Sequence, residues 1–151
     1  MPHAFDVPAS ALLPRVAAEL KSRGSVNPPP WAAFAKTGVS RQQAPTQPDW
    51  WFLRSASVLR KIYLRGGTGV QRLSGEYGGR RDRGSAPYHS RTGSRAVLRE
   101  IVQQLEKAGL LKSQKNRGRK VSPEGLKLLD AASRAALKEL ADRRPELAKY
   151  L

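Results

Sequence analysis

Apolar side chains recur along this chain mostly at the three- and four-residue spacing of amphipathic helices. Leu12, Leu13, Val16, Ala17 and Leu20 form the first stripe. It follows Asp6-Val-Pro-Ala, where Asp6 is placed to cap a helix, runs to about Ser22 and stops at Gly24. Pro14, one turn inside, predicts a bend or a shifted start. Pro28-Pro-Pro-Trp31 opens a short helical piece ending at Lys36-Thr37-Gly38, and the polar residues 39–48 read as a surface connector. Asp49 is the expected cap of the best-defined helix, Trp50 to Arg65, which Gly66-Gly67 terminates. Trp51, Val58, Leu59 and Ile62 share one of its faces. Leu53 and Leu64 fall nearly opposite, so neighbours are expected on two sides.

Thr68 to about Gly75 reads as a short helix anchored by Val70 and Leu73. From Tyr77 to Ser94 apolar periodicity is lost among glycine, arginine and serine, which predicts a long loop, mobile without a ligand. Ser94 is placed to cap a helix to Ala108, with Val97, Leu98, Ile101, Val102, Leu105 and Ala108 on its apolar face. Residues 110–121 fit two short strands joined by a basic tip containing Gly118. Ser122-Pro123-Glu124 then starts a helix whose core-facing stripe is Leu126, Leu129, Ala132, Ser133, Leu137 and Leu140. A short last helix follows Pro145.

This order predicts a mainly α fold: a winged helix–turn–helix core with a small β-hairpin wing and extra N-terminal helices. Residues 66–69 take the place of the turn, 94–108 that of the recognition helix and 110–121 that of the wing. The chain is expected to form one domain over 1–151. It divides into an N-terminal helical extension (1–48), a winged-helix core (49–141) carrying a basic loop (77–94), and a C-terminal tail helix (142–151).

Charge changes the picture from fold to partner. The 151 residues carry 28 Lys and Arg against 12 Asp and Glu, a formal +16. Residues 54–120 hold 17 of those cations and 4 of the acids, so they supply +13 of the excess, mostly as arginine. Self-repulsion at that density destabilises an isolated fold, and a polyanion that relieves it is the natural partner. Arg54, Lys61 and Arg65 line up along the 50–65 helix. Arg80, Arg81, Arg83 and Arg91 crowd the 77–94 segment, Arg95 and Arg99 begin the next helix, and Arg117, Arg119 and Lys120 mark the wing. Tyr77 and Tyr88 flank the arginines as candidates for stacking on unpaired bases, and Trp50 is a weaker one because a tryptophan at a helix start usually belongs to the core. Trp31 and Phe34 are expected to pin the N-terminal segment to the body.

Other chemistries find little support. The chain has no cysteine and two histidines, His3 near the N-terminus and His89 among arginines, where a phosphate or ribose contact fits better than a general base. Acids are scattered singly, so no metal or cofactor site is expected. Gly66-Gly67-Thr68-Gly69 matches a phosphate-clamping G-x-x-G, a pattern better explained here as a helix stop and tight turn. The longest hydrophobic run, Trp31–Ala35, is far too short to span a membrane, and the N-terminus lacks a signal-like stretch, which points to a cytoplasmic protein. A winged-helix DNA-binding regulator stays open as the alternative, because Arg95, Arg99 and Gln103 are able to read bases. An RNA-processing enzyme has no constellation to support it.

These residues resemble a known family, the eukaryotic- and archaeal-type small-ribosomal-subunit protein nineteen. The resemblance runs from about Val7 to Asp130. It rests on Trp31 with Lys36-Thr37-Gly38, on Asp49-Trp50-Trp51 through Arg54-Ser55-Ala56-Ser57, and on Arg60, Tyr63 and Arg65-Gly66. It continues through Gly69-Val70, Tyr77-Gly78-Gly79-Arg80, Gly84, Pro87, His89 and Gly93-Ser94 to Arg99, Leu105, Gly118-Arg119, Ser122-Pro123-x-Gly125 and Leu129-Asp130. Lys-Thr-Gly and Trp-Trp look more like archaeal members. The resemblance implies a non-enzymatic, monomeric component of the small subunit that binds ribosomal RNA in the subunit head beside neighbouring ribosomal proteins and is needed for subunit maturation. It places the RNA-facing positions on Arg54, Arg60, Arg99 and the Tyr77–Arg83 segment. Two departures, Ser90 in place of a phenylalanine and Gly75 in the short second helix, bear on the loop conformation.

Overall fold

A computed structural model describes residues 3–150; Met1, Pro2 and Leu151, at the ends of the expected domain, lie outside the described residues. In chain order the elements are α1 (Ala9–Ser22), a 3-10 turn (Pro30–Ala33), α2 (Trp50–Arg65), α3 (Val70–Glu76), β1 (Gly79–Arg83), β2 (Ala86–Arg91), α4 (Arg95–Lys107), β3 (Leu111–Gln114), β4 (Gly118–Val121), α5 (Pro123–Arg143) and a closing 3-10 turn (Pro145–Tyr150). The fold is mainly α, with two separate two-stranded antiparallel sheets, β1–β2 and β3–β4.

α2 is the centre of the packing, touching α1, α4 and β4. Trp51, Val58, Leu59 and Ile62 are fully buried, as the helical spacing predicts, together with Leu12, Val16 and Leu20 of α1 and the apolar face of α4. Each large side chain so enclosed contributes about 1.5–3 kcal/mol. The Trp51 indole N–H donates to Gln104 Oε1 at 3.2 Å, and Gln104 Nε2 donates to the Asn27 carbonyl at 2.8 Å, so one amide ties α2, α4 and the chain after α1. Leu53 and Leu64 are only half-buried. The second apolar face of α2 is therefore a partly open wall rather than a helix interface.

Two expected caps take other roles. Asp6 accepts from its own turn at His3 N, and α1 begins behind Pro8, running on through Pro14. Asp49 gives α2 no side-chain cap and instead meets Lys21 Nζ at 2.8 Å, fixing α1 to the start of α2. Ser94 and Ser122 do cap their helices, accepting from Val97 N and Gly125 N. Of the expected α5 stripe, Leu129, Ser133 and Leu137 are buried, Ala132 and Leu140 are half-buried and Leu126 is exposed; Leu128 and Ala136 are buried in addition. The short helix starts at Val70 because Thr68 is taken up by a backbone bridge to Arg119.

The largest departure is at 77–94, expected to be a loop. Backbone pairing makes it the β1–β2 hairpin, with Gly79 opposite Arg91, Arg80 opposite Ser90 and Arg81 opposite His89. Its tip turns at Gly84-Ser85, between paired Arg83 and Ala86, and Asp82 Oδ1 accepts from Gly84 N at 2.8 Å. Both faces are exposed almost throughout, so no apolar alternation marks it in the sequence. The hairpin is held at its root: Gly93 bridges Gly38, Gly93 N donates to the Ser74 carbonyl and Ser94 N to the Thr37 carbonyl, both at 2.8 Å. A Cβ at Gly93 would lie 2.7 Å from the Tyr77 carbonyl, so only glycine permits this approach.

Candidate nucleic-acid interface

The expected basic residues fall into three settings. The first is a cluster around Tyr77. Arg54 and Lys61, a helical repeat apart on α2, lie 4.3 and 4.0 Å from its ring centroid. Its hydroxyl hydrogen-bonds Ser57 Oγ at 2.7 Å. Tyr77 is thus a strut between α2 and the hairpin root, its ring engaged by cations rather than free for a base. Burial pushes its phenol above the usual range, against the Ser57 hydrogen bond and the Arg54 charge. Burial likewise draws the Arg54 guanidinium down; Tyr77 opposes this and the like charge of Arg41 adds to it. Glu76, at the end of α3, meets Lys61 at 3.2 Å and Arg65 at 2.5 Å, so two of the three strip cations are neutralised internally. Arg60 stands apart on another side of α2, half-buried, with its Nε enclosed and without a hydrogen-bond partner.

The second setting is the β1–β2 hairpin, where Arg80, Arg81, Arg83, His89 and Arg91 are all exposed. Strand alternation puts Arg81, His89 and Arg91 on one face and Arg80 with Tyr88 on the other. Among the described residues these arginines make no ion pair; Arg83 and Arg91 reach only the carbonyls of Pro87 and Ser90. Tyr88, 59% exposed, remains open for stacking. Adjoining the root, α4 begins with Arg95, whose Nη1 donates to Gln71 Oε1, followed by exposed Arg99.

The β3–β4 hairpin is the third. Arg117 and Lys120 are exposed, whereas Arg119 turns inward to Glu106 Oε2 at 3.3 Å. The fifteen candidates are therefore unequal: those on β1–β2, α4 and the β3–β4 tip are available to an anion, while Lys61, Arg65 and Arg119 already have carboxylates. Of the two expected anchors, Trp31 packs edge-on against Trp51, with centroids 5.8 Å apart, but Phe34 is 89% exposed.

One participant was missed. Arg41 lies in the 39–48 segment, read as a plain connector, yet that segment folds against α2 and the hairpin. Only its composition, a lone arginine among glutamines, marks it in the sequence. No group of three or more potential metal ligands occurs among the described residues, and no helix is long and apolar enough to cross a membrane.

A family model described as "Ribosomal protein S19e" matches residues 3–139. The chain is 48% identical to "Small ribosomal subunit protein eS19" of Aeropyrum pernix over the full length of both chains. It is 45% identical to the protein of the same name in Thermoplasma volcanium, covering 96% of each. With "Small ribosomal subunit protein eS19A" of Schizosaccharomyces pombe the identity is 42%, over 89% of this chain and 93% of the relative.

Proposed function

Since the chain belongs to the S19e family of small-subunit ribosomal proteins, which is structural and non-enzymatic, we propose that it is built into the head of the small subunit by docking on ribosomal RNA, and that subunit maturation depends on this docking. Ribosome association also makes the cytoplasm its place of action. The observation that carries this reading is the β1–β2 hairpin: a two-stranded arm, exposed on both faces, whose four arginines find no carboxylate among the described residues. Such an arm is costly in a free protein and stable between phosphates. Arginine suits folded RNA because one guanidinium bridges two phosphates or stacks on a base.

In this reading α2, α3 and α4 with β3–β4 act as a winged helix–turn–helix unit that presents Arg99 and the β3–β4 tip, while the hairpin between α3 and α4 extends the contact. The reading is supported by the element order and by the Thr68–Arg119 bridge, which ties the wing to the turn after α2. Contact with about six to ten phosphates makes affinity fall on the order of a thousandfold between 50 and 200 mM salt. The test is sedimentation of cell extract through a moderate-salt gradient. Co-migration with the small subunit is expected, and Arg99→Glu is expected to shift the protein to the top fractions without loss of helical signal. A wild-type chain that stays at the top, or runs with DNA, overturns the reading.

A further inference from the structure

The half-open face of α2 and the 37–47 segment enclose a cleft of about 360 Å³, toward the small end of small-molecule sites. Its walls combine three chemistries. Trp50 and Leu53 give an apolar, partly aromatic side; Gln43 and Gln47 contribute amides; Arg41 and Arg54 contribute guanidiniums. Among the described residues no carboxylate lines it. Two cations line it together, near enough for the charge of Arg41 to bear on Arg54, and neither side chain makes a hydrogen bond or ion pair with the described protein; Arg54 has only the Tyr77 ring. Both glutamine amides are likewise without a protein partner among the described residues.

A like-charged pair beside an aromatic wall and unspent amides matches the parts of one nucleotide: phosphate, stacking base, and base-edge donors and acceptors. We propose that this cleft holds a single unpaired nucleotide of the bound RNA, its base against Trp50 and its phosphate between Arg41 and Arg54. A second cleft adjoins through Arg41, where Lys36 and Arg81 add positive charge that outnumbers the single lining carboxylate, Asp82, whose Oδ1 accepts from Gly84 N. The RNA backbone leaves the nucleotide along this path toward the β1–β2 hairpin. The connector then becomes part of the interface and makes the contact selective for an unpaired position, which phosphate binding by the hairpin is not.

The proposal rests on the RNA-docking reading, and the test separates the two. Full-length protein is bound to purified small-subunit ribosomal RNA, irradiated with ultraviolet light and digested with nuclease and trypsin. Cleavage after Arg41 and Arg54 isolates residues 42–54 as one peptide. That peptide is expected to carry a nucleotide adduct at Trp50, from a position that chemical probing of the RNA shows to be unpaired. In Arg41→Ala/Gln47→Ala, exposed positions whose change leaves the fold intact, trypsin instead releases residues 37–54, that longer peptide is recovered without a nucleotide adduct, and RNA affinity falls about tenfold. Adducts confined to the hairpin and α4 peptides, or an unchanged affinity in the double variant, overturn the nucleotide site while leaving RNA docking standing. Absence of RNA binding by the wild type overturns both.

Discussion

The two hairpins are built from the same motif and are attached to the body in different ways. In β3–β4 the first and last residues, Leu111 and Val121, are buried; Arg119 is held by Glu106; and Thr68 exchanges both backbone hydrogen bonds with Arg119 at 3.0 Å. In β1–β2 no side chain is fully buried, no arginine meets a carboxylate among the described residues, and attachment is confined to the root. Charge alone does not distinguish them, since both are rich in cations. What separates them is attachment: β3–β4 is tied down along its length by buried ends, the Thr68 bridge and one internal ion pair at Arg119, whereas the β1–β2 arginines meet no carboxylate among the described residues. Basic residues therefore become informative about binding only after the internal carboxylates have been assigned.

The sharpest way to break this contrast is at the glycines of the two hairpins. Gly118 has φ +80°, and a Cβ there would lie 2.4 Å from the Thr68 carbonyl oxygen, a backbone atom that cannot step aside without opening the bridge. Gly118→Val is expected to cost about 3 kcal/mol of global stability. Gly84, at the tip of β1–β2, has φ +69° but open space around it, so Gly84→Ala carries the conformational cost alone, about 1 kcal/mol, and confines it to the arm. Urea unfolding followed by helical signal compares them directly. Equal midpoints for the two variants would mean that both hairpins are equally integrated.

Charge reversal sharpens the comparison from the other side. Arg80→Glu/Arg81→Glu/Arg83→Glu removes cations with no ion pair to lose, so the thermal midpoint should hold or rise as self-repulsion falls. RNA affinity should drop at least about a hundredfold, ~2.7 kcal/mol, with a salt slope shallower by about three. Filter binding over a salt series provides both values. A large loss of midpoint with little loss of affinity would reverse the roles assigned to the hairpins.

The same contrast explains how much could be read from the chain alone. The helices and the β3–β4 hairpin were legible because burial writes itself as periodicity and as caps such as Ser94 and Ser122. β1–β2 was not, because an arm with both faces in water needs no apolar alternation; its local turn signal, Gly84-Ser85 after Asp82, is lost among arginines. Arg80, Arg81 and Arg83 stand out by charge, as do Lys61 and Arg65. Composition is blind to what divides them: Glu76 lies beyond the end of α2 in the chain, yet α3 folds it back onto Lys61 and Arg65. The Arg41 cleft was hidden for a further reason: its two walls, 37–47 and α2, face each other only in the folded chain, where the Gly38–Gly93 bridge holds the connector at the hairpin root.

The smallest effect tests whether the free arm has a rigid root. Tyr77 joins α2 to the hairpin through one hydrogen bond to Ser57 and two cations on its ring. Tyr77→Phe keeps the ring and loses the hydroxyl, which should cost about 1 kcal/mol. The loss should depend on pH in a definite direction. Burial raises the phenol of the folded protein above its ordinary value near 10, so folding favours the protonated form. That contribution is complete below about pH 10 and is lost as pH rises through the folded value. The wild type should therefore lose stability from about pH 8 to about pH 11 by more than Tyr77→Phe does, and the gap between their urea midpoints should narrow. A gap that stays constant over that range would show that the hydroxyl is no more enclosed in the fold than in the unfolded chain, and that the arm pivots on a looser joint than the Tyr77 cluster implies.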